Sequence, residues 1–299
     1  MSRGRPERAA LEPDEVRDAL LDGQSVDLLQ ALGLVTARGG ASPSSNRKIK
    51  QITHFARLLA PALDDAFERH EDPILVDFGA GKAYLGLVLY ELWMHRHGRG
   101  RLVAVESRPD LCERVQRIAD ARGFDRVDVV AGTIADAPLP ERVHVAMALH
   151  ACDTATDDAL VRALEARADH IAVVPCCQAE VARQLKKARA EDIDPLWGHA
   201  LHRREFGAHF TNVLRGLVLQ ANGHRVSVTE LVGWEHAVKN ELILGRRVAR
   251  FHRGAADQLA GLLERVPVRP GLVDRVAALQ ASTGTTESAG SGSSSDTAE

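Results

Sequence analysis

The stretch "ILVDFGAGKAYLG" (74–86) passes from an apolar run, through a turn punctuated by Gly79 and Gly81, into helical sequence. "ILVDF" has the length and composition of a buried strand. The glycines permit a backbone path that other residues resist, and Ala83–Arg96 reads as the helix that follows. The same alternation continues outward. "RLVAVE" (101–106) is a strand followed by a helix over Asp110–Arg122, and "RVDVVAGTI" (126–134) and "VHVAMALHA" (143–151) are further strands. A helix spans about Thr154–Ala166, where Thr154 and Asp157 have capping-box spacing, and "HIAVVPCC" (170–177) is the fifth strand. Apolar strands alternating with helices predict a parallel sheet covered on both faces. After a helix over Phe210–Ala221, stopped by Asn222-Gly223, come "HRVSVTELV" (224–232) and "ELILGRRV" (241–248). Their connection is too short for a parallel crossover, so an antiparallel pair is expected. The predicted fold is α/β, with seven mostly parallel strands and an antiparallel last strand.

Upstream, helices are predicted over Glu12–Leu21 and Val26–Leu34. A longer one, capped by Ser45 or Asn46, places Ile49, Ile52, Phe55, Leu58, Leu59, Leu63 and Phe67 on one face. Arg47, Lys48 and Lys50 fall on the other. Segments 255–265 and 270–280 are helical. From Ala281 the chain is rich in Ser, Gly and Thr with no apolar residue larger than alanine, a composition expected to be disordered. The expected organisation is a helical, partly disordered extension (1–45), a main domain (46–280) and a disordered tail (281–299). A net charge of −3 argues against wholesale nucleic-acid binding but allows a local basic face. Four cysteines without a pairing pattern read as free thiols in a reducing compartment. Neither a signal peptide nor a span of roughly 18 apolar residues is evident, so a soluble, cytoplasmic protein is expected.

In an open parallel sheet, a glycine loop at the first strand–helix turn and an acid ending the second strand form a nucleoside site. Glu106 is that acid, suited to accept hydrogen bonds from a ribose diol. A dinucleotide site would carry a third glycine where this chain has Tyr84, which disfavours NAD. S-adenosyl-L-methionine (SAM) has no phosphate and needs less close an approach. The stretch resembles motif I of class I SAM-dependent methyltransferases, with Asp77 as the acid before the glycines. The resemblance implies a Rossmann-like sheet and a SAM site that includes Asp77, Gly79, Gly81, Tyr84 and Glu106.

"DFGAGKAYLG", "LHACDTATDDAL" (149–160), "PCCQ" (175–178) and "HAVKNELI" (236–243) carry a narrower resemblance. They look like a methyltransferase-domain family that includes eukaryotic tRNA ribose 2′-O-methyltransferases, proteins described as ribosomal-RNA adenine dimethylase-like, and bacterial members. It covers about Asn46 to Val248. Relatives commonly read H-T-P-K-N where this chain has His236-Ala237-Val238-Lys239-Asn240. The acid that often contacts adenine after the third strand is replaced by Gly132-Thr133-Ile134, leaving Thr133 and Ile134 as cofactor contacts and Asp136 as a substitute acid.

With the fourth and fifth strands beside the first, His150, Cys152, Asp153, Cys176, Cys177 and Gln178 converge near the methyl donor. A bridge between adjacent cysteines is strained, and a tetrahedral zinc site lacks an evident fourth ligand, so no metal is expected. A cysteine nucleophile and a compact pocket wall remain, the wall being preferred. Methyl transfer is an in-line displacement that depends on alignment. His150 and Asp153 are candidates for base or orienting group, His150 also for cofactor contact, and Lys239 for stabilising an oxyanion, with Asn240 beside it in the substrate pocket. Residues 180–253 hold 13 Lys/Arg against 8 Asp/Glu. Together with Arg47, Lys48 and Lys50 they could form a basic rim for RNA. A protein or small-molecule substrate, and a non-catalytic binding module, are the alternatives.

Overall fold

The computed structural model describes residues 10–149, 151, 153–175, 178–190, 192–230 and 241–289. Seven strands form one sheet in the order β3-β2-β1-β4-β5-β7-β6. They are β1 (Ile74–Phe78), β2 (Arg101–Glu106), β3 (Val127–Ala131), β4 (Val145–Ala148), β5 (His170–Val173), β6 (His224–Glu230) and β7 (Glu241–Arg247). β1 pairs in parallel with β2 and β4, β2 with β3, and β4 with β5, whereas β7 runs antiparallel to β5. β1 has no solvent-facing position beyond its half-buried first residue, as expected of a central strand covered on both faces. The strands and their order agree with the α/β expectation.

The chain divides into two compact units, Met1–Cys176 with Arg225–Val248, and Cys177–His224 with Ala249–Glu299. The first holds the sheet and helices α1 (Pro13–Asp18), α2 (Val26–Ala31), α3 (Pro43–Arg69), α4 (Tyr84–Leu89), α5 (Pro109–Ala121) and α6 (Thr154–Glu165). α3 begins at Ser42, not at Ser45 or Asn46. Pro43 occupies the first helical position, where its missing N–H costs nothing, and the Ser42 hydroxyl accepts the Ser45 N–H. No packing boundary falls at residue 45. Val16, Leu28, Leu29 and Leu32 of the N-terminal segment share one cluster with Phe55, Leu59 and Leu63 of α3 and with Leu89 and Tyr90. Each fully buried side chain of this size contributes roughly 1.5–3 kcal/mol.

The predicted helix Ala83–Arg96 is two pieces. α4 passes at Leu89 into a π-helical segment, Tyr90–His95. Within it Glu91 is buried and accepts the Ser25 N–H at 2.9 Å and the Ser25 hydroxyl at 2.5 Å, with Arg122 3.5 Å away. Ser25 is also the N-cap of α2, so one carboxylate fastens the N-terminal segment to the main fold. The amino ends of the strands are tied by charge. His70 Nε2 lies 3.0 Å from Asp169, His170 Nε2 lies 2.7 Å from Asp65, and Arg142 and Arg246 pair with these acids at 2.6 and 2.9 Å.

The second unit contains α7 (Glu180–Leu185), α8 (Ala200–Ala221), α9 (Arg253–Arg265) and α10 (Gly271–Ala289). α8 starts ten residues before the predicted Phe210. It stops at Asn222-Gly223, where Gly223 takes φ +80° and a Cβ would fall 2.2 Å from the Ala249 carbonyl oxygen, so only glycine fits. α10 continues past residue 281, although composition predicted disorder there. Once a helix is nucleated each added residue gains a hydrogen bond, which lets weak helix formers prolong it. Residues 290–299 lie outside the described set. Among the described residues no helix is long and apolar enough to cross a membrane.

Breaking the Glu91 joint leaves Arg122 without its buried carboxylate. Glu91→Ala is therefore expected to lower stability by about 3 kcal/mol and to open residues 10–45 to proteolysis. Denaturant melts and limited digestion check this; unchanged digestion would show that the apolar cluster alone holds the segment.

Candidate functional site

The carboxyl ends of β1, β2 and β3 meet in register, Phe78 opposite Val105 and Glu106 opposite Ala131. The chain leaves β1 through Gly79 (φ +64°) and Gly81 (φ +59°), conformations that cost other residues strain, and Ala83 also takes a left-handed φ of +50° just before α4. The path is held by hydrogen bonds from β2. The Ala80 N–H donates to the Val105 carbonyl at 2.9 Å, and the Gly81 N–H donates to Glu106 Oε2 at 2.7 Å. Gly79 is open to solvent.

Glu106 is 5% exposed. Its second oxygen accepts both the N–H and the Nε–H of Arg108 at 3.0 Å. Burial alone would raise its pKa, but Arg108 and the Gly81 N–H outweigh that and hold it below the usual carboxylate range. Glu106 is therefore an ionised, acceptor-only group. Of its roughly four lone-pair directions, three are taken by Gly81 and Arg108, which leaves about one, on Oε2, for a ligand hydroxyl. The Glu106 carbonyl in turn accepts the Gly132 N–H at 3.0 Å and lies 3.3 Å from Cys112 Sγ.

The turn after β3 folds toward the loop, with Ile134 Cδ1 3.6 Å from where a Gly79 Cβ would sit. Thr133 and Asp136 bond each other, hydroxyl to carboxylate at 2.7 Å and N–H to hydroxyl at 3.2 Å. Thus Asp77, Gly79, Gly81, Glu106 and Ile134 are brought together, with Thr133 beside Ile134. Tyr84 opens α4 half-buried, with Lys48 Nζ 5.7 Å from its ring centroid, a cation–π arrangement.

Asp77 is buried behind the loop. Burial, reinforced by the nearby Glu106 charge and opposed by the Gly86 N–H, pushes its pKa up to about 7. Gly86 was not singled out from the sequence, yet a Cβ there would lie 2.8 Å from Asp77 Oδ2 and 3.3 Å from Leu102. The hint was a glycine inside a helix, where it costs about 1 kcal/mol relative to alanine. Arg108, the partner that keeps Glu106 ionised, had no comparable sequence mark.

Asp153 is the N-cap of α6 at the carboxyl side of β4. It takes the unusual backbone φ +52°, ψ −118° and makes no side-chain cap hydrogen bond, so the expected Thr154/Asp157 box is not the cap. Instead the Thr156 hydroxyl donates to the Ala151 carbonyl at 2.7 Å. His150, Cys152, Cys176, Cys177, Lys239 and Asn240 lie outside the described residues. Gln178 belongs to the second unit, where its buried amide donates to Asn212 at 3.0 Å, and Asn212 also accepts from the fully buried Arg215.

His70, His144 and Asp169 bring potential metal-ligand atoms within 4.8 Å of one another, at the opposite end of the strands. Their donors are already engaged. His144 Nδ1 accepts the Ile74 N–H at 2.8 Å, and Asp169 pairs with His70 and Arg142. Desolvation, with the neighbouring His70, lowers the His144 pKa to about 4, so the ring is neutral and structural.

Residues 47–184 match a family described as a methyltransferase domain. No curated protein matches the sequence. Similar solved structures include a ribosomal-RNA methylase from Streptococcus thermophilus (10% identity, 64% of this chain and 95% of the other, TM-score 0.43). Others are a geranyl diphosphate methyltransferase in complex with GPP and sinefungin (15%, 64% and 78%, 0.43), and a methyltransferase from Podospora anserina bound to S-adenosylhomocysteine (13%, 74% and 88%, 0.42).

Two substitutions test the site. Gly86→Ala must displace the Asp77 carboxylate, and is expected to weaken SAM binding at least tenfold by calorimetry while costing about 1–3 kcal/mol of stability. A carboxyl whose folded pKa exceeds its ordinary value holds its proton more tightly in the fold, so stability falls as pH rises from about 4 to about 7. Asp77→Asn removes that dependence, so it should gain on the parent between pH 5 and pH 8, by about 2.5 kcal/mol. A constant difference in denaturant melts at the two pH values would refute the assignment.

Proposed function

We propose that this chain, a class I S-adenosyl-L-methionine-dependent methyltransferase by its matched domain and its sheet, transfers the methyl group to a nucleophile on RNA. The bound sulfonium supplies an electrophilic methyl carbon. Glu106 fits a ribose hydroxyl, the open Gly79–Gly81 backbone fits the body of the ligand, and Ile134 offers an apolar surface for a base.

The observation that carries the RNA reading is the charge at the mouth of this site. Lys82 lies in the loop, Lys48 rests over Tyr84, and the Arg108 side chain is 63% exposed. Among the described residues Lys48 and Lys82 have no ionic partner, and the Asp136 carboxylate is bonded to Thr133. Cations without partners beside a ligand site attract phosphates. This supports a polyanionic substrate over a neutral metabolite, in keeping with the resemblance to RNA-modifying enzymes.

For the chemistry, Asp153 is the described residue at the place where the sequence motif sets His150. Its strained backbone is of the kind that surrounding structure maintains at working sites. In our reading His150 takes the proton from the attacking hydroxyl or amine and Asp153 orients it. Lys239 stabilises the negative charge that develops on an oxygen nucleophile. Cys152, Cys176 and Asn240 shape the pocket, their small or polar groups leaving room beside the methyl donor.

The test is transfer of labelled methyl groups from SAM to fractionated tRNA and rRNA. Label is expected in RNA, with a loss of at least tenfold in SAM affinity for Glu106→Ala. Label confined to protein or small-molecule fractions would overturn the RNA substrate, and unchanged SAM affinity in Glu106→Ala would remove that residue from the ribose site.

A further inference from the structure

Between Asp27 and Asp64 the sequence has no acidic residue, yet it carries Arg38, Arg47, Lys48, Lys50 and Arg57. Four polar side chains of α3, Arg47, Lys50, His54 and Arg57, recur at intervals of three, four and three residues. That spacing puts them on one stripe of the helix, opposite the buried Ile49, Ile52, Ala56, Leu59 and Leu63. The stripe spans about 15 Å at the rise of an α-helix.

Both ends of the stripe have definite surroundings. At its start Lys48, next to Arg47, reaches the ring of Tyr84 beside the glycine loop. At its far end Arg57 borders a hollow of about 250 Å3 together with Asp64, Trp93, Arg96 and His97. The Trp93 indole is held there by an Nε1–H bond to Asp64 at 2.9 Å. Asp22 also lines the hollow, and among the described residues neither Arg57 nor Arg96 forms an ion pair with Asp22, with Asp64 or with another acid.

We propose that the Arg47–Lys50–His54–Arg57 stripe is a track for the sugar–phosphate backbone of an RNA strand whose target nucleotide enters beside the glycine loop. This rests on the RNA reading given above and extends it to a direction and a register. The strand runs from the cofactor loop along α3, its phosphates meet successive cations, and a flanking nucleotide settles in the hollow, its phosphate between Arg57 and Arg96 and its base toward Trp93. Contacts of this kind position a strand without reading its sequence, while a single-stranded partner gains from an aromatic platform at the end of a cationic groove.

The experiment compares the full chain with the triple variant Arg47→Gln, Lys50→Gln, Arg57→Gln, measuring anisotropy of a labelled single-stranded RNA over a salt series. The three positions are exposed and outside the cofactor loop, so thermal unfolding and calorimetric SAM affinity should match the parent. Loss of three phosphate contacts should reduce the slope of log affinity against log salt by about 2 and weaken binding at least tenfold at 0.1 M salt. RNA affinity and slope equal to the parent's would overturn the track while leaving the RNA substrate standing. A parent that binds no RNA would overturn both. A poly-glutamate peptide bound as tightly as RNA, with the same loss in the variant, would overturn the track in favour of a protein-docking face.

Discussion

The hydrogen bond from the Gly81 N–H to Glu106 joins the turn after the first strand to the end of the second, and the site is arranged around it. A glycine loop without an anchor is a flexible segment that must be ordered when a ligand binds, at a cost of about 1–2 kcal/mol for each residue fixed. Here the left-handed Gly79 and Gly81 are fixed in advance by one buried carboxylate. Arg108 keeps that carboxylate charged, and the turn after β3 is drawn in through the Glu106 carbonyl. One residue thus uses its side chain to shape one wall and its backbone to place the next. Asp77 behind the loop shows the opposing requirement. Buried away from water, with the Glu106 charge adding to the penalty, this second acid is tolerated by holding its proton, and its pKa is pushed up to about 7.

The two ends of the strands are built differently. At the carboxyl end, exposed backbone and cations that have no partner among the described residues leave room for ligands. At the amino end, histidines and acids satisfy one another. Asp65 near the end of α3 bonds both His170 and Arg246, and Asp169 bonds His70 and Arg142. Paired charges of this sort hold a helix against strand ends with little left over for a partner. The long helix α3 therefore carries two characters along its length, cationic at its start and paired with the sheet at its finish.

Strand positions were legible because each is a short apolar run bounded by turn residues, as in "ILVDF" and "RLVAVE", whose limits match β1 and β2 to the residue. The site's main acids were legible for the same reason, since strand ends fix where Asp77 and Glu106 stand. What escaped depends on contacts between distant parts of the chain. The π-helical segment around Glu91 meets Ser25, 66 positions away. The need for glycine at 86 becomes visible only when Asp77 is placed against it. α8 begins well before its apolar pattern becomes regular because Gly207 lets it approach α7, a Cβ there falling 2.9 Å from the Ala182 nitrogen. The break expected at residue 45 was drawn from a Gly/Ser-rich linker, but the isolated bridge between Leu11 and Ala41 closes that segment onto itself, and its leucines lie in the main core.

The antiparallel pairing of β5 with β7 has a consequence for how the chain is made. β5 ends at Val173, and the strand that covers its edge does not begin until Glu241. In between the ribosome must deliver Cys177–His224, which belongs to the other unit. At ordinary elongation rates of about 5–20 residues per second, the edge of β5 stays unpaired for several seconds. That interval exposes an apolar strand edge capable of pairing with another nascent chain. Helices α7 and α8 can form within their own unit during the wait, whereas the sheet is sealed only when β7 emerges.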